Sequence, residues 1–243
     1  GFSVRQRITL NNLNVISVRA GYSPERYEDR NSFGDGSYKI KGRLDADIGF
    51  STDDSRRVSF GFDADWRQED LGGDRFRYRV KALWRPNDHV TVDANVRLTD
   101  RSAWLLYRGN RNFTTFEAEQ WSATLNFDLF LTAKQQFRAA IQWVGIKATE
   151  KEFFKLLTRP GHLIEGPKPG QDPDDFTISQ ANLQLRYRWE IAPLSDLFIV
   201  YTRGGSLPNR AAVAPSFGDL FSDAVDEPLA EQLVIKLRYR LDN

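Results

Sequence analysis

The last stretch of the chain, residues 233–241, alternates apolar and polar residues with a period of two. The apolar positions are Leu233, Ile235, Leu237, Tyr239 and Leu241, and the cations between them are Lys236, Arg238 and Arg240. Strict alternation over nine residues is typical of a β-strand with one apolar and one polar face. A chain that repeats this pattern is constrained to form a sheet.

The same alternation recurs along most of the sequence and predicts about eleven strands and no long helix. A single helical turn is predicted at residues 216–221, with Ser216 as its cap. The predicted strands are residues 1–10, 13–23, 38–50, 58–67, 76–85, 90–98, 121–129, 137–143, 181–190, 197–203 and 233–241.

Composition narrows the class of protein. No window of 18 or more apolar residues exists, which excludes a transmembrane helix but leaves transmembrane strands open. The 34 basic and 33 acidic side chains give a net charge of +1, so nucleic acid is not an expected partner. Cysteine is absent, which excludes disulfides, thiolate catalysis and sulfur-ligated metals.

The connections between predicted strands alternate in length. Those at 11–12, 53–55, 86–88, 133–134 and 193–195 are tight, whereas those at 24–37, 101–115, 158–175 and 205–228 are long. Outer-membrane barrels have short periplasmic turns and longer outer loops. The sequence therefore predicts an all-β fold, an antiparallel up-and-down transmembrane β-barrel, with a soluble β-sandwich binding module as the alternative.

The predicted strand directions also indicate whether the barrel is complete. Tight turns after every odd strand make the first strand start on the outer side, whereas bacterial barrels usually have an even strand number and both ends in the periplasm. We therefore expect residues 1–243 to be a single barrel segment without one or more upstream strands, part of a barrel of twelve or more. No signal peptide is visible at the start of the sequence.

Tryptophan residues fall near the ends of the predicted strands, on their apolar sides. Aromatic belts of this kind form where a barrel wall meets the lipid headgroups. The predicted membrane-interface residues are Trp66, Trp84, Trp121, Trp143 and Trp189.

Charged residues fill the opposite side of the strands and predict an ionic layer in the barrel lumen. Opposite charges directly across strands stabilise a sheet by roughly 0.2–1 kcal/mol each. The predicted pairs are Asp65 with Arg77, Asp63 with Arg79, Lys81 with Asp93, and Arg43 with Asp65.

Catalytic and metal-binding residues are not predicted. The two histidines, His89 and His162, are expected at opposite ends of the barrel. An outer-membrane hydrolase stays an alternative, with His162 beside Asp172, Asp174 or Asp175 as its only candidate base and acid. The same three carboxylates could bind calcium, but short acidic runs in loops are usually solvated. No cofactor is expected.

Four segments, 104–109, 142–147, 194–204 and 232–241, resemble the C-terminal region of a family of Gram-negative outer-membrane proteins. These proteins carry a periplasmic β-sandwich similar to carbohydrate-binding family nine, followed by a barrel domain of unknown function. The resemblance implies placement in the outer membrane, contact with its lipid and lipopolysaccharide, a link to glycans, and an N-terminal sandwich upstream of residue 1. The expected function is a pore or a membrane anchor, and the resemblance supplies no catalytic residue.

Overall fold

A computed structural model describes residues 1–168, 170, 174–209 and 216–240. Within these residues the chain forms fourteen strands and one helix. The elements are β1 (Phe2–Thr9), β2 (Val15–Ser23), β3 (Arg26–Glu28), β4 (Tyr38–Ile40), β5 (Arg43–Ser51), β6 (Val58–Gln68), β7 (Asp74–Asn87), β8 (Val90–Gly109), β9 (Asn112–Thr132), β10 (Gln135–Lys155), β11 (Ile164–Glu165), β12 (Phe176–Ala192), β13 (Ser195–Asn209), α1 (Phe217–Asp226) and β14 (Ala230–Arg238).

One large antiparallel sheet contains twelve of the strands. Its order is β1-β2-β5-β6-β7-β8-β9-β10-β12-β13-β14, and the short β11 pairs with β10 beside this path. These eleven path strands correspond one by one to the eleven predicted strands, so the all-β antiparallel prediction is confirmed. The third predicted strand, 38–50, is too long, because residues 38–40 form β4 of the second sheet. The soluble sandwich requires two packed sheets, whereas the second sheet here has only two strands, β3 and β4.

The two ends of the sheet order are free edges. In the described part of the chain, neither β1 nor β14 has a partner on its outer side, so the sheet does not close on itself. Ten antiparallel pairings separate these two strands. An even number of reversals makes β1 and β14 run in the same direction.

One face of the sheet, here called the apolar face, carries a continuous row of apolar residues. The row runs across neighbouring strands through Ile8, Ile16, Phe50, Phe62, Val80, Val96, Ala123, Trp143 and Ala181. Its middle is open to the surroundings: Phe62, Val80 and Val96 are 43%, 52% and 42% exposed. The period-two pattern of each strand therefore adds up to an apolar surface that crosses the sheet.

Residues 101–115, predicted as a long connection, instead extend two strands, and this prediction is wrong. The strands β8 and β9 have 20 and 21 residues and meet at a two-residue turn, Asn110 and Arg111, with φ angles of 51° and 65°. Positive φ at both central residues is the geometry of the tight hairpin turn whose twist matches the strands. The segment does not alternate because both of its faces pack against other residues.

The loop end of the sheet has its own hydrophobic core. The hairpin of β3 and β4 places Tyr38 and Ile40 against the extended strands, where both side chains are almost fully buried. Backbone hydrogen bonds tie this hairpin to its neighbours, from Lys39 N to Gly161 O at 2.8 Å and from Lys41 N to Asp70 O at 3.0 Å. The buried members of this loop-end core are Tyr38, Ile40, Phe113, Leu156 and Leu163.

Residues 216–221 were predicted to form one helical turn, but α1 continues for ten residues. Ser216 caps it as expected, and Asp219 completes a capping box. The apolar residues at positions 217, 220, 221 and 224 recur at helical spacing, which gives α1 a face that packs on Trp143 of the sheet. No helix among the described residues has the length and hydrophobicity needed to cross a bilayer.

Candidate functional site: the charged face of the sheet

The face of the sheet opposite the apolar face, here called the charged face, holds most of the predicted ionic layer. Its residues lie between apolar ones along each strand, as Asp63 lies between Phe62 and Ala64 on β6. Successive side chains of a strand point to opposite sides, so the charges of neighbouring strands come together on one surface.

Asp65 is the centre of the best-ordered ion pair on the charged face. Arg77 lies directly opposite on β7, and its Nε and Nη2 atoms donate to the two carboxylate oxygens at 2.9 and 2.7 Å. Arg75 approaches the same carboxylate at 3.5 Å. The predicted Asp65–Arg77 pair is confirmed, and its two-pronged geometry is the strong form of an arginine–carboxylate contact.

The pair of Asp63 and Arg79 is confirmed in register only. The two residues are directly opposite, but no ion pair within 4 Å joins them in the part of the chain described. On its other side Arg79 faces Arg97, a like charge. The Nε atoms of both arginines are buried without a hydrogen-bond partner.

Two predicted pairings are wrong, and strand register explains both. The chain reverses at residues 88–89, beyond the predicted turn at 86–88, so that Asn87 faces Val90. Further along, past a β-bulge between Trp84 and Asn87, Lys81 faces Asn95 while Asp93 faces Leu83. The turn between β5 and β6 places Asp47, not Arg43, opposite Asp65. Arg43 instead lies at the loop end, where it pairs with Asp70.

A cleft of about 870 Å³ opens on the charged face near β1, β5, β6 and β7, and we call it the mixed-charge cleft. Three residues of the predicted layer, Asp63, Lys81 and Asp93, line it. Its cations are Arg5, Arg7, Lys81 and Arg85, and its acids are Asp47, Asp54, Asp63 and Asp93. The two signs are therefore balanced around open space.

A second cleft, of about 390 Å³, lies on the same face where β10, β12, β13 and β14 approach the tight turns. We call it the arginine cleft, because four arginines and one acid surround it. Its lining residues are Gln136, Arg138, Arg186, Arg188, Asp196, Phe198 and Arg238. The alternating cations of β12 and β14 were visible in the sequence, but their meeting with Arg138 depends on strand order.

Ion pairs also connect the loops. Arg101 holds Glu69 through two hydrogen bonds of 2.7 and 3.0 Å, and Arg108 pairs with Asp174 at 2.7 Å. Burial raises the pKa of Asp70 above its ordinary value, although the nearby Arg43 opposes the shift. Burial likewise raises the pKa of Tyr38 to about 12. The loops thus form a packed cap with buried polar groups.

The predicted interface tryptophans have different surroundings. Trp84 and Trp189 are well exposed near the tight turns. Trp66 donates from its indole nitrogen to Asp74 at 2.8 Å. Trp121 and Trp143 contact Phe217, so α1 covers them, and Trp143 is only 7% exposed. An interfacial role for these side chains stays a prediction.

The candidate hydrolase residues are not brought together. Among the described residues, Asp174 pairs with Arg108, while Asp175 accepts from the backbone nitrogen of Glu150 at 2.8 Å. Asp172 lies outside the described residues. His162 lines a different cleft beside Lys39 and Lys41. No cluster of three or more His, Cys, Asp or Glu side chains in the described ranges is arranged to hold a metal ion.

Comparisons with known proteins give a family. The family described as "Domain of unknown function (DUF5916)" matches residues 2–243. No curated protein matches the chain. A crystal structure of BauA, the ferric preacinetobactin receptor from Acinetobacter baumannii, is similar with a TM-score of 0.47 and 12% identity. That match covers 97% of this chain and 41% of the receptor chain. Because the family match spans nearly every residue, the chain belongs to the DUF5916 family.

Proposed function

We propose that this chain forms much of the wall of an outer-membrane β-barrel pore. In this proposal the apolar face contacts lipid and the charged face lines a water-filled lumen. The observation that carries the proposal is the two-sided sheet. A row of apolar residues crosses one face, exposed in its middle and covered by α1 at Trp143 and Ala181, and ion pairs and clefts occupy the other face.

The exposed apolar face supports a lipid environment. Burying a Val, Leu, Ile or Phe side chain away from water stabilises a protein by roughly 1.5–3 kcal/mol. Phe62, Val80 and Val96 lie directly across from one another and remain about half exposed, and no second sheet formed by the described residues lies over them. A continuous apolar surface of this kind marks a membrane or protein contact, and a bilayer would cover it without a specific partner.

The clefts of the charged face support a wet lumen. A barrel of about eight strands is filled by side chains, whereas sixteen or more strands leave a channel. The eleven path strands lie between these limits. The charged walls of the mixed-charge cleft enclose about 870 Å³ of open space, and carboxylates and guanidinium groups in such a space attract water.

Closure of the barrel requires further strands under this proposal. Because β1 and β14 run in the same direction, an antiparallel closure needs an odd number of additional strands between them. One more strand would give twelve, which agrees with the even strand number usual in bacterial barrels. Both free edges are exposed along their whole length.

Conductance in a planar bilayer tests the pore. The protein containing this chain is purified in detergent, and single-channel currents are recorded for the wild type and an Asp47→Asn plus Asp63→Asn variant. Both carboxylates line the mixed-charge cleft, so their loss is expected to shift the reversal potential in a salt gradient toward anion preference. Asp100→Asn is the matched control, since Asp100 lies on the apolar side of β8.

Each outcome decides between two roles. Ohmic steps with a shifted selectivity in the double variant, and not in the control, would support the pore. A folded, heat-modifiable protein that carries no current would contradict it and leave a membrane anchor as the function. The predicted link to glycans rests on family resemblance alone and is outside this proposal.

A further inference from the structure

The arginine cleft differs from the rest of the charged face in its charge balance. Four guanidinium groups and a single carboxylate, that of Asp196, surround it. The mixed-charge cleft on the same face has four cations and four carboxylates. The excess of positive charge is therefore local to β10, β12, β13 and β14.

The carboxylates beside the cleft already form ion pairs with two of its arginines. Arg188 donates from Nε and approaches with Nη2 the same Asp196 oxygen, at 3.0 and 2.9 Å. Arg138 pairs with Asp128 at 2.5 Å, and that carboxylate also accepts from Gln136 at 3.3 Å. Two of the four arginines, and both adjacent carboxylates, are thus engaged with one another.

Within residues 1–168, 170, 174–209 and 216–240, the other two arginines have no counter-charge. Arg238 lies directly opposite Asp196, whose ion pair is with Arg188 instead. Arg186 lies directly opposite Arg138 on one side and Val200 on the other. Across the described residues, no carboxylate comes within 4 Å of the guanidinium group of Arg186 or Arg238.

The strand register places like charges opposite each other in this cleft. Like charges directly opposite on neighbouring strands destabilise a sheet, and Arg138 and Arg186 are such a pair. Phe198 forms an apolar part of the cleft wall. An anion between the guanidinium groups would relieve the repulsion.

We propose that the arginine cleft binds a phosphate group, held mainly by Arg186 and Arg238. A guanidinium group presents a planar set of donors that matches the oxygens of phosphate in pairs. A phosphate monoester carries about −1.5 to −2 charges at pH 7, which matches the two unpaired cations. The cleft volume of about 390 Å³ has room for such a group with part of a small solute attached. This site does not depend on conduction through a pore.

Calorimetric titration of inorganic phosphate into the detergent-solubilised protein tests the site. The key variant is Arg186→Gln plus Arg238→Gln. Its matched control is Arg5→Gln plus Arg7→Gln, which removes two cations from the mixed-charge cleft of the same face. We expect phosphate to bind the wild type and the control with equal affinity, and the key variant to lose at least about tenfold. Arg186→Lys, which keeps the charge but not the paired donors, is expected to fall between them.

The outcomes are distinct from those of the conductance test. Phosphate binding that is absent in the wild type, or equal in the wild type and the key variant, would overturn the proposal. Malonate binding as tightly as phosphate would overturn the assignment to phosphate. Heat-modifiable migration in a gel shows whether each variant is folded, and Arg186→Lys carries the test if the double variant is not. A silent pore with intact phosphate binding would leave this site standing.

Discussion

Asp65 and Arg77 lie directly opposite each other on β6 and β7, and two hydrogen bonds of 2.9 and 2.7 Å join the carboxylate to the guanidinium group. The pair matters because Arg75 shares the same carboxylate. Removing Asp65 would therefore leave two cations close together on the charged face.

A double-mutant cycle measures this relationship. We expect Asp65→Asn to lower the free energy of unfolding more than Arg77→Gln does, since the first leaves both arginines without their shared partner. The coupling energy between the two positions should be about 1 kcal/mol, at the upper end for cross-strand ion pairs. Urea-induced unfolding in detergent gives all four values. A coupling energy near zero would mean that the hydrogen bonds add nothing beyond strand pairing.

Gly205 on β13 permits α1 to lie close to the sheet. A methyl group at this position would collide with the backbone oxygen of Ala224 in the helix. We therefore expect Gly205→Ala to displace α1 and destabilise its attachment by about 1–3 kcal/mol. Tryptophan fluorescence should shift to longer wavelength as Trp143 becomes exposed.

The neighbouring glycine provides the control. A methyl group at Gly204 would meet only Ala181 O, at an ordinary contact distance of 3.8 Å. Gly204→Ala is therefore expected to leave the emission spectrum unchanged. Equal spectra for both variants would show that α1 does not depend on this close approach.

The capping box of α1 makes its attachment dependent on pH. Ser216 Oγ donates to the Asp219 carboxylate at 2.7 Å, and this hydrogen bond, aided by one from the Ser216 backbone nitrogen at 3.1 Å, lowers the pKa of Asp219 below its ordinary value. When folding lowers the pKa of a carboxylate, its ionised form stabilises the folded state, and this stabilisation is complete at pH values above the pKa in the unfolded chain. The stabilisation is lost as the pH falls through the lowered value.

Acid titration should therefore weaken the attachment of α1 as the pH falls through the lowered pKa of Asp219, and the fluorescence of Trp143 reports the change. Ser216→Ala removes the cap and is expected to weaken the helix by about 1 kcal/mol at neutral pH. In that variant the acid transition should shrink, because Asp219 no longer has the hydroxyl group that lowers its pKa. An unchanged transition would assign the pH dependence to other carboxylates.

The strands were predictable because their signal is local. Alternation with a period of two requires only that one face be apolar. Each strand of the large sheet could therefore be recognised from a central stretch of alternating residues. The hairpin extension at 104–107 was missed because Trp104, Leu105, Leu106 and Tyr107 are all apolar. In the folded chain, Trp104 and Leu106 pack in one cluster and Leu105 and Tyr107 in another. A strand covered on both faces shows no alternation.

Register and long-range contacts were less predictable. The Asp65–Arg77 pair followed from a tight turn whose length the sequence defines. The Lys81–Asp93 prediction is wrong because the chain reverses at residues 88–89 and not at 86–88, which changes the register between β7 and β8. The arginine cleft needs the order of four strands as well as the alternation within each. Sequence patterns therefore located the charged face but not its clefts.

The loop-end core yields a final prediction about which part of the protein depends on the β3–β4 hairpin. Tyr38 is fully buried and packs edge-on against Phe113, with ring centroids 5.0 Å apart. We expect Tyr38→Ala to destabilise the loop-end core by about 3–5 kcal/mol, the usual range for truncating a buried aromatic side chain. Tyr27→Ala, on the paired strand β3, is the control, since Tyr27 is 53% exposed. Limited proteolysis in detergent should then cleave the Tyr38 variant between β2 and β5 while the sheet keeps its heat-modifiable migration. If a denaturant unfolds the sheet and the loop-end core of this variant at the same concentration, the core and the sheet unfold as one cooperative unit.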